Sequence, residues 1–299
     1  MPNKIAPMMT PASFNGLHVL TLESRRAREI AKLIENLGGV PIVAPSVKEV
    51  PLESVQEALN FARNLAAGLV DMVIFTTGVG VRTLASAVEN VCSREDLARG
   101  LNDVAVVARG PKPMAALKEL GVRVSLTVPE PNTWRELLAT LDKNKETFAV
   151  AGRRIAIQEY GVTNPELSAA LVARGASVTL VNVYQWALPD DIGPLEQAVE
   201  SIIRGDVHVL LVASSVQIRH LFEVAEKMQK AKVLHQALSR VVITSVGPLT
   251  SEELRSRGLT VDIECTRPKM GFLVQEAAEK APELLKAKRK PLTGKQAHP

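Results

Sequence analysis

The hydrophobic positions of this 299-residue chain alternate between two patterns. Short β-branched or aliphatic runs, such as 71–75 and 207–212, have the length and composition of buried parallel strands. Between them lie longer stretches with apolar residues at helical spacing, as from Ala27 to Leu37. Strands that alternate with helices favour parallel sheets covered by helices on both faces. The pattern therefore predicts an α/β protein.

The order of these elements repeats once along the chain. Gly110-Pro111 and Gly247-Pro248 each follow a buried strand, about 137 positions apart. The same offset relates Gly38 to Gly175, Arg82 to Arg219, Leu117 to Leu254, Gly121 to Gly258 and Pro131 to Pro268. Six matches on one diagonal indicate a duplication and hence two similar sheets. In open sheets of this kind, ligands bind beyond the carboxyl ends of the strands, and we expect a cleft between the two domains.

Composition narrows the classes of function. Aromatic residues make up 3% of the chain, which argues against a base-stacking nucleic-acid platform. The net charge is +4, and much of the excess lies in residues 286–290, so no nucleic-acid partner is predicted. No stretch of 18 apolar residues or secretory signal is present, and the two cysteines lack metal spacing. We expect a reduced, cytoplasmic protein without membrane contact, with disordered tails at 1–15 and 286–299.

Side chains for nucleophilic or acid–base chemistry are scarce. There is no Gly-x-Ser-x-Gly elbow, the five histidines are scattered, and no carboxylate pair for acid–base work is evident. Gly78-Val-Gly80 lacks the third glycine of a dinucleotide-binding turn. His18 and His208 lie in strand sequences, where packing is the more common role.

What remains is a set of polar loops at strand ends. They are 76–80, 109–113, 159–163, 213–216 and 247–250. Each alone is equally well explained as a helix cap. Together they favour a large ligand with several anionic groups, held mainly by main-chain N–H groups at helix starts.

These residues resemble the uroporphyrinogen-III synthase family over residues 17–283. The resemblance rests on 19–21 (Val-Leu-Thr), 74–77 (Ile-Phe-Thr-Thr), Gly175-Ala176, Val183-Tyr184 and 247–250 (Gly-Pro-Leu-Thr). Residues 158–161 and 109–113 resemble a bacterial branch in which this domain is sometimes fused to a regulatory DNA-binding domain. The resemblance implies two duplicated, flavodoxin-like parallel-sheet domains joined by two crossover strands. One domain would comprise 16–46 plus 187–285, and the other 47–186.

The resemblance also implies a function. The substrate would be hydroxymethylbilane, a linear tetrapyrrole with eight carboxylates, and the product uroporphyrinogen III, formed with inversion of ring D. Such an enzyme is a cyclising hydro-lyase of haem and sirohaem biosynthesis that needs no cofactor or metal. We expect a monomer with, at most, transient contact to hydroxymethylbilane synthase.

The resemblance assigns roles to particular residues. Tyr184 matches the family tyrosine proposed to assist departure of the hydroxyl, although a tyrosine at a strand end can equally be a packing anchor. The expected substrate-binding residues are Thr76, Thr77, Gly78, Arg109, Gly110, Lys112, Tyr160, Gly161, Ser214, Ser215, Gly247 and Thr250.

One feature departs from the family pattern. Many members have Thr or Ser just after the first Gly-Pro-type turn, where this chain has Pro111-Lys112-Pro113. A substrate carboxylate could pair with Lys112 or Arg109 instead. The departure leaves open a non-catalytic module of the same fold that senses tetrapyrroles or anions.

Overall fold

The computed structural model describes residues 12–51, 56–159, 161 and 163–289. The chain divides into two compact units. Unit 1 consists of the chain up to Lys48 and from Leu188 onwards, and unit 2 is Glu49–Ala187. The chain therefore passes from one unit to the other twice. The domain limits expected from the sequence stay a prediction, because contacts within one conformation do not test independent folding.

Twelve strands occur in the described residues. They are β1 His18–Thr21, β2 Val40–Val43, β3 Lys48–Pro51, β4 Met72–Phe75, β5 Ala105–Ala108, β6 Leu126–Thr127, β7 Arg154–Gln158, β8 Ser177–Val181, β9 Tyr184–Ala187, β10 Val209–Val212, β11 Val242–Ser245 and β12 Ile263–Glu264. Most have four or five residues, which is typical of strands buried between helical layers.

Twelve helices separate these strands in the same part of the chain. They are α1 Ala27–Asn36, α2 Gln56–Ala66, α3 Gly78–Val88, α4 Arg94–Asn102, α5 Pro111–Glu119, α6 Trp134–Lys143, α7 Pro165–Ala173, α8 Gly193–Arg204, α9 Ser215–Lys227, α10 Ala231–Leu238, α11 Pro248–Ser256 and α12 Met270–Arg289. A capping box opens α6: Thr133 accepts from the backbone of the first turn, and Glu136 accepts from the Thr133 N–H. No helix in the described residues is long and apolar enough to cross a membrane.

Unit 2 contains a five-stranded parallel sheet of order β6-β5-β4-β7-β8. Successive side chains of a strand point to opposite faces, so each face has its own core. Val73 and Phe75 pack with α2, α3, α4 and α5, whereas Met72 and Ile74 pack with α6 and α7. The sheet is thus covered on both sides, as the apolar runs predicted.

Unit 1 has a parallel sheet of order β12-β11-β10-β1-β2. Leu210 and Val212 pack with α8, α9 and α10 on one face. Val209 and Leu211 pack with α1 and α12 on the other. The remaining strands, β3 and β9, pair in a separate two-stranded sheet near the points where the chain changes unit.

The two large sheets are built from corresponding strands and helices of the sequence repeat. Strands β4 and β10 begin 137 positions apart, and so do β5 and β11, β6 and β12, and helices α5 and α11. Both sheets also have the same strand order once these equivalents are matched. The predicted fold class, two duplicated parallel-sheet α/β units, is confirmed.

Some predicted boundaries are wrong. Phe14, which we expected in a disordered tail, is fully buried against α1 and α12, and its N–H donates to the Leu37 carbonyl. At the other end, α12 continues to Arg289, because Lys288 reaches back to the mostly buried carboxylate of Asp262 at 2.7 Å. The stretch 177–184, whose β-branched residues favour one strand, forms parts of two strands, β8 and β9, which belong to different sheets.

Candidate functional site

The strand order of each unit indicates where a ligand would bind. In unit 2 the chain runs outward from β4 to β6 and then returns to place β7 on the other side of β4. Unit 1 has the equivalent reversal between β10 and β1. Loops leaving adjacent strands in opposite directions open a crevice at the carboxyl edge of an open sheet. The loops after β4 and β7, and after β10 and β1, are therefore the candidate sites.

In unit 2, two threonines follow β4 and connect it to β7. The hydroxyl of Thr76 is buried and donates to the Gln158 carbonyl at 2.7 Å. The Thr77 side chain caps α3 by accepting from the Gly80 N–H at 3.0 Å. Its oxygen also lies 3.1 Å from the Tyr184 hydroxyl. The hydroxyl of Thr76 is thus used within the protein, whereas that of Thr77 links the helix start to Tyr184.

The loop after β5 packs against the start of α3. A Cβ at Gly78 would lie 2.6 Å from the Lys112 carbonyl oxygen, so glycine permits this close approach. Gly110 precedes α5 in an extended conformation, and Arg109 N–H donates to the Phe75 carbonyl. The Lys112 side chain is exposed. The structure therefore brings together the predicted residues of the β4 and β5 loops.

Residues of the β7 loop lie against β9, where Tyr184 begins the strand. Gly161 has φ +82° and forms a bridge with Gln185. A Cβ at Gly161 would lie 2.6 Å from the Trp186 indole nitrogen, so the loop requires glycine for both reasons. Tyr184 is 3% exposed, and its ring meets Trp186 edge-on at a centroid distance of 5.5 Å. Tyr160 lies outside the described residues.

A buried carboxyl group follows the same strand. Glu159 is 2% exposed; one of its oxygens accepts from the Asn164 N–H at 3.1 Å, and the other has no hydrogen-bond partner in the described residues. Burial raises the pKa of this carboxyl, and the charge of Glu57 adds to the rise, against the hydrogen bonds from Asn164 and Thr163. Glu159 therefore favours its neutral form more than an ordinary glutamate does.

In unit 1, two serines follow β10. Ser214 takes the N-cap position of α9 without a side-chain cap, and no hydrogen bond to either the Ser214 or the Ser215 hydroxyl is found in the described residues. Behind them, the buried Gln217 amide accepts from the Ala213 N–H at 2.7 Å and lies 3.4 Å from the Glu23 carboxylate beyond β1. Both serine hydroxyls are therefore available to a ligand.

The second predicted site element of unit 1 is the start of α11. Gly247 precedes the helix in an extended conformation, and Pro248 is its first residue. Thr250 is buried in the first turn, while the neighbouring Ser251 hydroxyl lies 2.6 Å from that of Ser245. The first turn of α11 thus leaves the Leu249 and Thr250 N–H groups without a hydrogen-bond partner in the described part of the chain.

Helix starts are the shared chemistry of these loops. Free N–H groups and the helix dipole at such a start stabilise anions such as carboxylates. By contrast, the described residues contain no group of three or more His, Cys, Asp or Glu side chains placed to hold a metal ion. The arrangement is suited to holding carboxylates rather than to strong acid–base chemistry.

A sequence model of the family described as "Uroporphyrinogen-III synthase HemD" matches residues 28–275 of the chain. The chain belongs to the uroporphyrinogen-III synthase family. The family resemblance read from the strand-end residues is therefore confirmed. Membership implies a role in tetrapyrrole biosynthesis, with hydroxymethylbilane as the substrate.

Two individual relatives carry the name of the same family, and a third is uncharacterized. A crystal structure of a mutant uroporphyrinogen III synthase from the extremely thermophilic bacterium Thermus thermophilus has a TM-score of 0.68 at 30% identity, covering 90% of this chain and 100% of that one. A protein of Methanothermobacter thermautotrophicus named "Putative uroporphyrinogen-III synthase" is 30% identical, over 81% of this chain and 89% of its own length. "Uncharacterized protein YjjA" of Bacillus subtilis is 29% identical, over 86% and 93%.

The candidate sites of the two units also include side chains that were not among the predicted substrate-binding residues, although Glu159 lies in one of the predicted strand-end loops. Gln158 and Glu159 lie at the end of β7 of unit 2, Glu23 follows β1 of unit 1, and Gln217 lies in the first turn of α9. Three of them are buried polar side chains at the points where the strand order reverses. The available signal in the sequence was Gln158, a polar residue at the end of the aliphatic strand β7. Only the strand order shows that this strand lies beside β4, where the order reverses.

Proposed function

We propose that this chain is a uroporphyrinogen-III synthase that cyclises hydroxymethylbilane to uroporphyrinogen III with inversion of ring D. The proposal is supported most directly by the carboxyl edges of the two sheets, where hydroxyl groups and helix starts surround the strand-order reversals. A substrate with eight carboxylates needs many such contacts. Cyclisation needs its two ends held close together, which provides a large effective concentration without a strong base. We also propose that the enzyme acts as a monomer without a cofactor.

Within this proposal, Tyr184 is the catalytic residue. Its phenol donates a proton to the hydroxyl of the substrate, and the carbon–oxygen bond breaks. Water departs, and the substrate becomes an azafulvene cation. Ring D attacks this cation through a spiro intermediate, and the proton released when the macrocycle forms returns to the phenolate. The proposal draws on the position of Tyr184 beside Thr77 at the strand-order reversal of unit 2.

The remaining predicted residues are proposed as substrate contacts of two kinds. Hydroxyl and cationic side chains would contact carboxylates directly, and glycines would let the main chain approach them. The set is Thr76, Thr77, Gly78, Arg109, Gly110, Lys112, Tyr160, Gly161, Ser214, Ser215, Gly247 and Thr250. Two threonines of this set do not offer a hydroxyl to a carboxylate. Thr76 contributes through its main chain, because its hydroxyl donates to Gln158. Thr77 contributes through its place beside Tyr184, because its hydroxyl caps α3 and contacts the Tyr184 hydroxyl.

The test is a product assay. Purified protein is incubated with freshly prepared hydroxymethylbilane, and the products are oxidised and separated as isomers. We expect isomer III to predominate, whereas heat-denatured protein gives only isomer I from spontaneous closure. Isomer I alone from the folded protein would contradict the proposal.

A second candidate function is a non-catalytic module that binds tetrapyrroles or other anions. The observation that favours it is the start of α5, where Pro111 and Pro113 have no N–H and only the Lys112 N–H remains for a ligand in that turn. This start offers one main-chain donor fewer than the start of α11. Tight binding of hydroxymethylbilane without formation of isomer III would support the second function, and rapid formation of isomer III would exclude it.

A further inference from the structure

Thr77 has two hydrogen-bond partners with different roles. Its oxygen accepts the Gly80 N–H at 3.0 Å and so caps α3. The same oxygen lies 3.1 Å from the Tyr184 hydroxyl, a distance that fits either direction of donation. The direction matters, because a phenol that donates to Thr77 has used the proton that it would deliver to a substrate.

Two features of the surroundings favour donation by Thr77. An oxygen that already accepts a hydrogen bond from a backbone N–H becomes a better donor through its own proton. The start of α3 is also the positive end of the helix dipole, so it favours electron density on a neighbouring phenol oxygen. Both features stabilise the arrangement in which the Tyr184 oxygen accepts the hydrogen bond from the Thr77 hydroxyl.

Resting on the proposed function, we infer that Thr77 donates its hydroxyl proton to the Tyr184 oxygen and is therefore a positioning residue that directs the phenol proton towards the substrate. Two neighbouring side chains hold the contact between Thr77 and Tyr184 in place. Gln158 is fully buried, its amide oxygen lies 3.4 Å from the Thr77 N–H, and Trp186 packs on the Tyr184 ring. The hydroxyl of Thr77 thus acts through Tyr184.

The duplicated unit supports this assignment by contrast. The position equivalent to Thr77 in unit 1 is Ser214, which also precedes a helix, but its side chain makes no cap. At the same offset of about 137, the position equivalent to Tyr184 is Val47, and neither it nor the following Lys48 has a hydroxyl. A helix can therefore start at this turn without such a pair, and the Thr77–Tyr184 contact is a property of unit 2 alone.

Three substitutions at Thr77 separate donation from capping. Thr77→Ser keeps both the cap and the donor, and Thr77→Val removes both. Thr77→Asp keeps an excellent cap but has no proton to donate at neutral pH. We expect kcat for isomer III to fall about tenfold in the Val and Asp variants, with KM within about twofold, and to stay near the wild-type value in the Ser variant.

A double-mutant cycle decides whether Thr77 acts through Tyr184. Tyr184→Phe lowers kcat by itself, and adding Thr77→Val or Thr77→Asp to it should lower kcat no further. Ser93→Ala is the matched control, because Ser93 caps α4 in the same unit by accepting from the Asp96 N–H and has no bond to Tyr184. This variant should lose stability comparably to Thr77→Val and retain wild-type kcat.

Several outcomes would overturn the inference. Full kcat in folded Thr77→Asp would show that donation is not needed, and additive losses in the cycle would show that Thr77 acts independently of Tyr184. A raised KM with unchanged kcat would make Thr77 a substrate contact only, and an unaffected Tyr184→Phe would remove the phenol from the reaction. Failure of the proposed function itself is distinct, because the wild-type protein would then make no isomer III.

Discussion

Replacing Gly80 with alanine tests how tightly the Gln158 amide fills the space behind the β4 loop. A Cβ at position 80 would overlap the carboxamide of Gln158. That amide is fully buried between the Thr77 N–H and the Glu159 carbonyl, so it has no solvent-filled space to move into. Gly80 lies within α3 and does not have a positive φ, so the backbone itself accepts alanine. The substitution therefore isolates a packing conflict.

The expected magnitude combines two opposing effects. Alanine gains about 1 kcal/mol over glycine in a helix. Overpacking a buried site costs about 1–3 kcal/mol, and leaving a buried N–H unpaired costs a similar amount. We expect Gly80→Ala to lower the free energy of unfolding of unit 2 by about 1–3 kcal/mol. In a Gln158→Ala background the conflict is absent, and the same change should stabilise by about 0.5–1 kcal/mol.

Fluorescence provides a readout confined to unit 2. The chain has two tryptophans, Trp134 and Trp186, and both belong to Glu49–Ala187. Urea unfolding followed by tryptophan emission therefore gives the four stabilities of the Gly80/Gln158 cycle. A coupling energy of about 1.5–4 kcal/mol is expected. Additive effects, or a Gly80→Ala protein as stable as the wild type, would refute the close packing of this amide.

Three further predictions concern titratable groups. Arg154 hydrogen bonds hold the pKa of Asp71 well below its usual range, so the contact stabilises fully above about pH 4 and is lost only as the pH falls through the depressed pKa. Asp71→Asn should cost about 1–2 kcal/mol at pH 7 and less at pH 3, and a deficit of the same size at pH 7 and pH 3 would contradict this. Burial raises the pKa of Glu159, so its contribution to stability is present at low pH and is lost as the pH rises through the raised pKa. Glu159→Gln should be at least as stable as the wild type at pH 7 and lose that advantage towards pH 4. A variant that is less stable than the wild type by more at pH 7 than at pH 4 would refute this. Burial raises the pKa of Cys265 to about 12, and burial and the charge of Asp96 also raise the pKa of Cys92, which is partly exposed. A disulfide reagent should therefore modify Cys92 of the native protein faster than Cys265, and Cys92→Ser should abolish the faster phase.

Much of the fold follows from the sequence because its signals are local. A β-branched run followed by Gly-Pro defines a strand end and a helix start, and duplication supplies the same signal twice, at Gly110 and Gly247. The break between β8 and β9 has a much weaker signal, a single Asn182 in an otherwise strand-like stretch 177–184. It depends on which sheet each segment joins, and sheet membership is decided by long-range pairing.

The candidate site was predicted as loops but not as contacts. The strand-end position of Thr77 is visible in the sequence, whereas its bond to Tyr184 joins residues 107 positions apart. Glu159 lay in a predicted loop, but its burial depends on how that loop packs after β7. Propensities locate such residues, and only tertiary packing determines which polar atoms are buried or paired.

The two buried glutamines show why a repeat aligned by sequence hides part of its shared structure. In unit 2, Gln158 extends from the end of β7 into space left by Gly80. In unit 1, the position equivalent to Gly80 is Gln217, and strand pairing makes the apolar Leu22 equivalent to Gln158. Each amide oxygen accepts an N–H of the loop after the central strand, from Thr77 in one unit and from Ala213 in the other.

The shared requirement is a hydrogen bond rather than a residue. The buried loop N–H must be paired, and a glutamine amide pairs it in each unit. The glutamine can come either from the end of the neighbouring strand or from the first turn of the helix. The equivalent position on the other element then carries a residue without an amide. An alignment of the two halves would count both positions as mismatches, although together they satisfy one physical requirement.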